Sequence, residues 1–176
     1  MFQTHLNKTP KIDKSVYISD NTSVVYDVCV GEDSSIWFGT VIRGDVNAIK
    51  IGKRTSIQDN STLHNTHYEK EDKSDGHELV IGDDVTVGHG CILHGCVIKN
   101  AVLVGMGACV LDGAVIGEES IVGANSLVTQ KKIFPPRSLI MGSPAKLVRE
   151  LTQEEVDAIY KNAKNYVYLK NEYLKK

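Results

Sequence analysis

The chain is poor in the features that announce most protein classes. Its 176 residues include one tryptophan, three phenylalanines, four prolines and four cysteines. The cysteines, Cys29, Cys91, Cys96 and Cys109, form no CxxC pair, so neither a thiol redox motif nor a zinc knuckle is indicated, and they read as reduced structural thiols. Charge of one sign is lacking too: a net charge of −2 offers no electrostatic footprint for nucleic acid. No apolar run approaches the roughly 18 residues of a membrane span, and the opening MFQTHLNKTPKIDKS lacks the apolar core of a signal peptide. These absences lead to the expectation of one cytoplasmic domain without a membrane or polymer partner.

What the chain does have is a six-residue beat. Aliphatic residues recur at Ile18, Val24, Val30, Ile36 and Ile42; at Ile51, Ile57 and Leu63; at Ile81, Val87 and Leu93; and at Ile98, Val104, Val110, Ile116, Val122 and Val128. Four residues after nearly every one stands a small or β-branched residue: Thr22, Val28, Ser34, Thr40, Val46, Thr55, Ser61, Val85, Cys91, Val97, Val102, Ala108, Ala114, Ser120 and Ser126. A period of six is neither helical nor simply alternating, and it marks a hexapeptide β-helix. Each hexapeptide predicts one short strand and a corner, with the aliphatic residue inside and the small one at the turn. The fold class is therefore an all-β solenoid over residues 1–150. Proteins with such repeats coil left-handedly with three strands per turn.

Three interruptions punctuate the beat. Three extra residues between Ile42 and Ile51 predict a bulge, and the step from Leu93 to Ile98 is one residue short. The polar stretch NTHYEKEDKSDG predicts an ejected loop over about 65–77. Past Val128 the pattern is expected to end at IFPPRSLIMGSPAKLVRE, where prolines break regular structure. A C-terminal α-helix then occupies 151–176. Thr152 and Glu155 have capping-box spacing, and Val156, Ile159, Ala163, Tyr166, Val167 and Tyr173 make an inward face expected to cover edge strands of the coil.

Used as a ruler, the beat places the histidines. His64 and His94 each follow a core leucine by one residue and so share an outward position. Thirty residues separate them; removing a loop of about twelve leaves eighteen, one full coil, so they stack roughly 4.8 Å apart. Two imidazoles so spaced can converge on one ion, zinc taking nitrogen ligands at about 2.0–2.1 Å. His89 lies in the preceding hexapeptide and projects from another side. If three subunits pack around an axis, His89 of one approaches His64 and His94 of its neighbour, leaving the fourth position open. His5, His67 and His77 fall off the repeat or in the loop.

The segments VIRGDV at 41–46, SIQDNSTLH at 56–64 and VTVGHGCILHG at 85–95 resemble the signature of gamma-class carbonic anhydrases, over nearly the whole chain. The resemblance implies a homotrimer with a metal, zinc or iron, held at subunit interfaces by His64, His94 and a neighbour's His89. It implies reversible hydration of carbon dioxide to bicarbonate by a metal-bound hydroxide, zinc in carbonic anhydrase being the type case of a metal that brings the pKa of bound water to about 7. Gln58 matches a glutamine that hydrogen-bonds the metal-bound water. Arg43, Asp45 and Asp59 match an arginine–aspartate set that ties subunits and helps place bicarbonate, or serve as plain interface ion pairs. Tyr166 matches a pocket tyrosine; Asn60 and Ser61 read as structural. The chain departs from the family at the proton shuttle: Val46 stands where an acidic residue can occur, and the acidic loop is shorter. His67, Glu69, Glu71 and His77 remain as candidates. Two other readings stay open, a weakly active or non-catalytic metal-binding trimer and, from MGSPAKLVR, a hexapeptide acyltransferase.

Overall fold

Short parallel strands form wherever the beat predicts them. A computed structural model of the chain describes residues 1–3, 8–72 and 74–175; His5 lies outside the described residues. The strands stack into a three-faced parallel β-solenoid of about seven turns followed by one helix. One face carries residues 41–42 of the long strand Val41–Ile51, then Thr62–His64, Ile92–His94, Cys109–Val110 and Leu127–Val128. A second carries residues 49–51, Leu79–Ile81, Val97–Ile98, Val115–Ile116 and Ile133–Phe134. The third runs from Tyr17–Ile18 through Ser35–Ile36, Ser56–Ile57, Thr86–Val87, Leu103–Val104 and Ile121–Val122 to Ser138–Gly142.

The aliphatic column fills the prism. Ile36, Ile42, Ile57, Leu63, Val87, Leu93, Ile98, Val104, Val110, Ile116, Val122 and Val128 are fully buried. The small residues line the corners, and their chemistry matters as well as their size. Ser34, Thr40, Thr55 and Ser61 donate their hydroxyls to carbonyls of the next coil, at Gly52, Gln58, Gly82 and Gly88. A buried carbonyl that a plain corner would strand is thereby satisfied.

Two corner assignments need correction, each beside an interruption. Val46 is exposed rather than inward. On the paired strands, Tyr26 faces Gly44 but Val28 faces Ile49, so Asp27 alone opposes residues 45–48. This bulge holds the three extra residues and turns Val46 outward while Ile49 takes a buried place. Val97 is only partly buried, because the shortened step lets Cys96 fill that corner instead.

The coil also outlasts its expected end. The beat continues through Phe134 and Ile140, both buried, with Pro135 and Pro136 set in a corner where no ladder hydrogen bond is lost. It stops where Ser138–Gly142 pairs antiparallel with Ala145–Glu150 across a cis Ser143–Pro144 bond, the MGSPAKLVR segment forming the return. This hairpin ends the parallel stack.

The helix, Gln153–Leu174, begins as predicted: Thr152 accepts from the Glu155 N–H, and the Glu155 carboxylate accepts from the Thr152 N–H. It runs along one face of the prism, out to that sheet's end strand. It packs against Tyr17–Ile18, Ser35–Ile36, Ser56–Ile57 and Thr86–Val87, across the third face. Val156, Ile159 and Ala163 are buried as expected, but Tyr166, Val167 and Tyr173 are only partly so, and the fourth fully buried residue is Lys170. Its ammonium donates to the Ser15 carbonyl at 2.7 Å and to Asp33 at 2.8 Å, tying the helix end to the first coils.

The helix start makes a prediction. Bonding from Arg149, then from the Thr152 N–H, holds the Glu155 carboxyl down at about 2. A depressed carboxylate contributes its stability above its ordinary pKa and loses it as pH falls through the folded value, so the cap is expected to persist until about pH 2. Carboxyl-carbon NMR titration checks this, with Arg149→Ala moving the Glu155 midpoint up.

Candidate functional site

His64 and His94 are paired partners on adjacent parallel strands, one coil apart as the ruler predicts. Leu63 and Leu93 anchor the strands in the core, so the residues after them must point outward. The imidazoles meet with His64 Nδ1 3.1 Å from His94 Nε2. Two ligand nitrogens on one tetrahedral zinc sit about 3.3–3.4 Å apart, a geometry this pair nearly has already.

Each ring is held from behind by a carboxylate. His64 Nε2 lies 2.9 Å from Asp45, and His94 Nδ1 lies 2.8 Å from Asp112. His89 Nδ1 lies 2.7 Å from Asp59. A carboxylate accepts and cannot donate, so each pair favours N–H on the bonded nitrogen and a lone pair on the other. At His64 and His94 the two lone pairs then face each other, which is repulsive unless a proton or a cation lies between. The donor set therefore fits a metal ion. Burial foremost, with Arg43 and His94 adding, pushes the His64 pKa below its ordinary value and favours the neutral, ligating ring. Burial works against ionisation of Asp45 and Asp112, yet bonds from His64 and Arg43 to the first, and from Thr66 and His94 to the second, hold both carboxyls below the usual range.

His89 stands elsewhere. It follows Thr86–Val87 on the third face, half-exposed, at a cavity of about 230 Å³ that Gln58, Met106, Asn162 and Tyr166 also line. Among the described residues of one chain, no three His, Cys, Asp or Glu side chains converge as a metal-holding group.

The other candidate residues divide between the same two places. Arg43 bonds Asp45 on the His64 side, whereas Asp59 braces His89, so the arginine–aspartate set is split within one chain. Gln58 is buried in the His89 cavity, and Tyr166 reaches it from the helix, its hydroxyl pKa raised by burial and then by Asp59. Thr86 fixes the helix there by donating to Asn162 at 3.0 Å. Of the shuttle candidates, His67 and Glu69 are strongly exposed and 3.7 Å apart, while His77 packs over Gly113.

Asp112 escapes a reading of the sequence that follows histidines alone. Its spacing carries little signal: it lies eighteen residues after His94, one more than the seventeen-residue coil that pairs Leu93 with Val110.

The family model described as Bacterial transferase hexapeptide (six repeats) matches residues 95–130. The chain is 53% identical over 165 residues to Protein YrdA of Escherichia coli, covering 94% of this chain and 89% of that one. It is 45% identical over 167 residues to a protein of Geobacillus kaustophilus named Carbonic anhydrase, covering 95% and 87%. It spans only 58% of the length of Gamma carbonic anhydrase 2, mitochondrial, of Arabidopsis thaliana, at 44% identity over 93% of its own. A solved hexapeptide transferase family protein from Anaplasma phagocytophilum superposes with a TM-score of 0.90 at 41% identity, over 98% of this chain and 97% of that one. Identity of this level, spread over nearly the full solenoid of chain and relative alike, leaves one conclusion: the chain belongs to the gamma carbonic anhydrase family of hexapeptide-repeat proteins.

Proposed function

We propose that the protein is a metalloenzyme catalysing the reversible hydration of carbon dioxide to bicarbonate, and that it works as a homotrimer. His64 and His94 of one subunit and His89 of the next would hold the metal, zinc or iron. The observation that carries this reading is the split trio itself. Two imidazoles stand 3.1 Å apart on one face and a third, equally braced by a carboxylate, stands on another. One chain cannot close that set, and rotation about a threefold axis can.

When bound, a metal held by three imidazoles supplies a Lewis acid that brings the pKa of a water ligand towards 7. The chain supplies the rest. Asp45, Asp59 and Asp112 fix tautomers so that each ligating nitrogen keeps its lone pair. Gln58, buried beside His89, offers an amide that can orient the attacking oxygen. Tyr166 and Met106 wall the cavity and limit water around a small apolar substrate. Arg43 stands ready on the His64 side for an anionic product, held by Asp45.

Proton release is the remaining step. Val46 lies outward on the bulge and carries no acid, so export of the proton falls to loop groups such as His67 and Glu69 or to buffer. The acyltransferase alternative, drawn from MGSPAKLVR, stays as a second reading: that segment forms the hairpin ending the coil, and a solved relative is described as a hexapeptide transferase. Stopped-flow hydration assays on anaerobically purified, metal-analysed protein test the proposal. Activity proportional to metal content is expected. Metal-loaded trimer without activity at any buffer concentration would leave a binding module instead.

A further inference from the structure

Asp112 belongs to no pattern in the beat, yet one of its oxygens is shared by two parts of the molecule. Oδ1 accepts from His94 Nδ1 at 2.8 Å and also from the hydroxyl of Thr66. Thr66 stands at the neck of the polar insertion, two residues after His64. Its N–H donates to the His77 carbonyl at 3.1 Å, and this antiparallel bridge closes the insertion on itself. The residue between, Asn65, is fully buried and donates to the Asn47 and Ala48 carbonyls at 2.6 and 3.1 Å. A single carboxylate oxygen thus touches both a histidine of the site and the closed neck of the loop.

The corner around it is tightly filled. A Cβ on Gly95, whose φ is +51°, would lie 2.4 Å from Asp112 Oδ1, 2.9 Å from His77 Cβ and 3.2 Å from Thr66 Oγ1. A Cβ on Gly113 would meet the His77 ring at 3.1 Å. Glycine at both positions is what lets Asp112 and the neck approach each other. The carboxylate, Thr66 and His77 thus share one crowded corner while the neck is closed.

We propose that Asp112 is a positioning residue for His94 and that Thr66 makes this positioning depend on closure of the 65–77 insertion. The proposal rests on the reading of His94 as a metal ligand. Asp112 fixes hydrogen on His94 Nδ1 and leaves the lone pair on Nε2, the nitrogen facing His64. Opening of the neck takes away the Thr66 donor and frees the carboxylate to follow the loop. Closure therefore favours metal retention and, by reciprocity, bound metal favours closure.

The test uses the full-length chain and zinc as the probe. Asp112→Ala is expected to raise the zinc Kd about 10–100-fold, the usual effect of losing a carboxylate behind a ligating histidine. Asp112→Asn, whose amide oxygen still accepts, is expected to restore most of that loss, and circular dichroism should be unchanged in both. Thr66→Val is expected to weaken zinc by a smaller factor and to abolish the protection that zinc gives Lys70 against trypsin. The nitrogen-15 shifts of His94 in the metal-free protein read the tautomer directly: Nδ1–H in the wild type, a mixture in Asp112→Ala. An unchanged tautomer, or a zinc Kd within about twofold of wild type, overturns the proposal. A wild type that takes up neither zinc nor iron(II) would instead overturn the proposed function, while the tautomer measurement still decides the role of Asp112.

Discussion

Replacing His89 by alanine is expected to remove the metal and leave the coil standing. The His89 side chain is half-exposed and its polar partner is Asp59, also partly exposed. Its backbone carbonyl, which accepts from the Gly107 N–H at 2.8 Å, is untouched by the substitution. In the metal-free protein a side-chain change of this kind shifts stability by about 0.5 kcal/mol or less, so the melts are compared without metal. Loss of a ligand from a three-histidine site removes several kcal/mol of transition-state stabilisation, so hydration should fall by about 10³-fold or more. Metal analysis, a thermal melt and stopped-flow hydration on one preparation check all three expectations. Asn60, whose side chain packs over Gly39 at the neighbouring corner, offers no such ligand.

The second large effect is on the coil. Leu93 is fully buried, stacked between Leu63 and Val110 on neighbouring strands of one face. Cutting it to alanine leaves a cavity that a rigid stack of flat coils cannot collapse, at a cost of about 2–5 kcal/mol. For a domain of this size that corresponds to a fall in Tm of roughly 4–20 °C. Leu93 also sets the position of His94, so zinc affinity should weaken in the same variant. Calorimetry with and without zinc separates the two: the melt without zinc reports the cavity, and the zinc-induced rise in Tm reports the displaced ligand.

Much of this architecture is legible in the sequence because a solenoid is nearly one-dimensional, each coil touching only its neighbours. A residue's phase in the hexapeptide then gives its direction, which is why Leu63 and Leu93 suffice to stack His64 on His94. The capping box is legible for a similarly local reason, Thr152 and Glu155 being three residues apart. The pattern misleads where the period is broken. Val46 and Val97 sit beside an insertion and a deletion, and counting forward from the previous aliphatic residue gives the wrong side of the chain there. The end of the coil is hidden because Phe134 replaces an aliphatic residue, and because prolines 135 and 136 look like breakers although a corner accepts them.

Contacts between distant segments are not legible. Lys170 looks like a solvent-facing charge on its helix, and only the fold brings Ser15 and Asp33 to its ammonium. The same holds for the helix as a whole, whose apolar residues do not say which face of the prism they cover. Asp112 is an intermediate case. It lies one coil and one residue beyond His94, out of register with it, and nothing in the chain says that a carboxylate there bends back to a ring nitrogen. Gln58 and Tyr166 lie with His89 rather than with His64, so in the proposed trimer their roles, like that of His89, depend on a neighbouring subunit.

That dependence can be measured by mixing chains. His64→Ala and His89→Ala are each purified, shown to assemble, and then co-refolded or co-expressed in equal amounts. If the metal lies between subunits, neither variant alone retains stoichiometric zinc, and the mixture regains a fraction of the wild-type zinc and hydration. Recovery is expected because a His89→Ala chain still offers His64 and His94, while an adjacent His64→Ala chain still offers His89. Stoichiometric zinc in either variant alone, or no recovery in mixed assemblies, would contradict a site shared between neighbours.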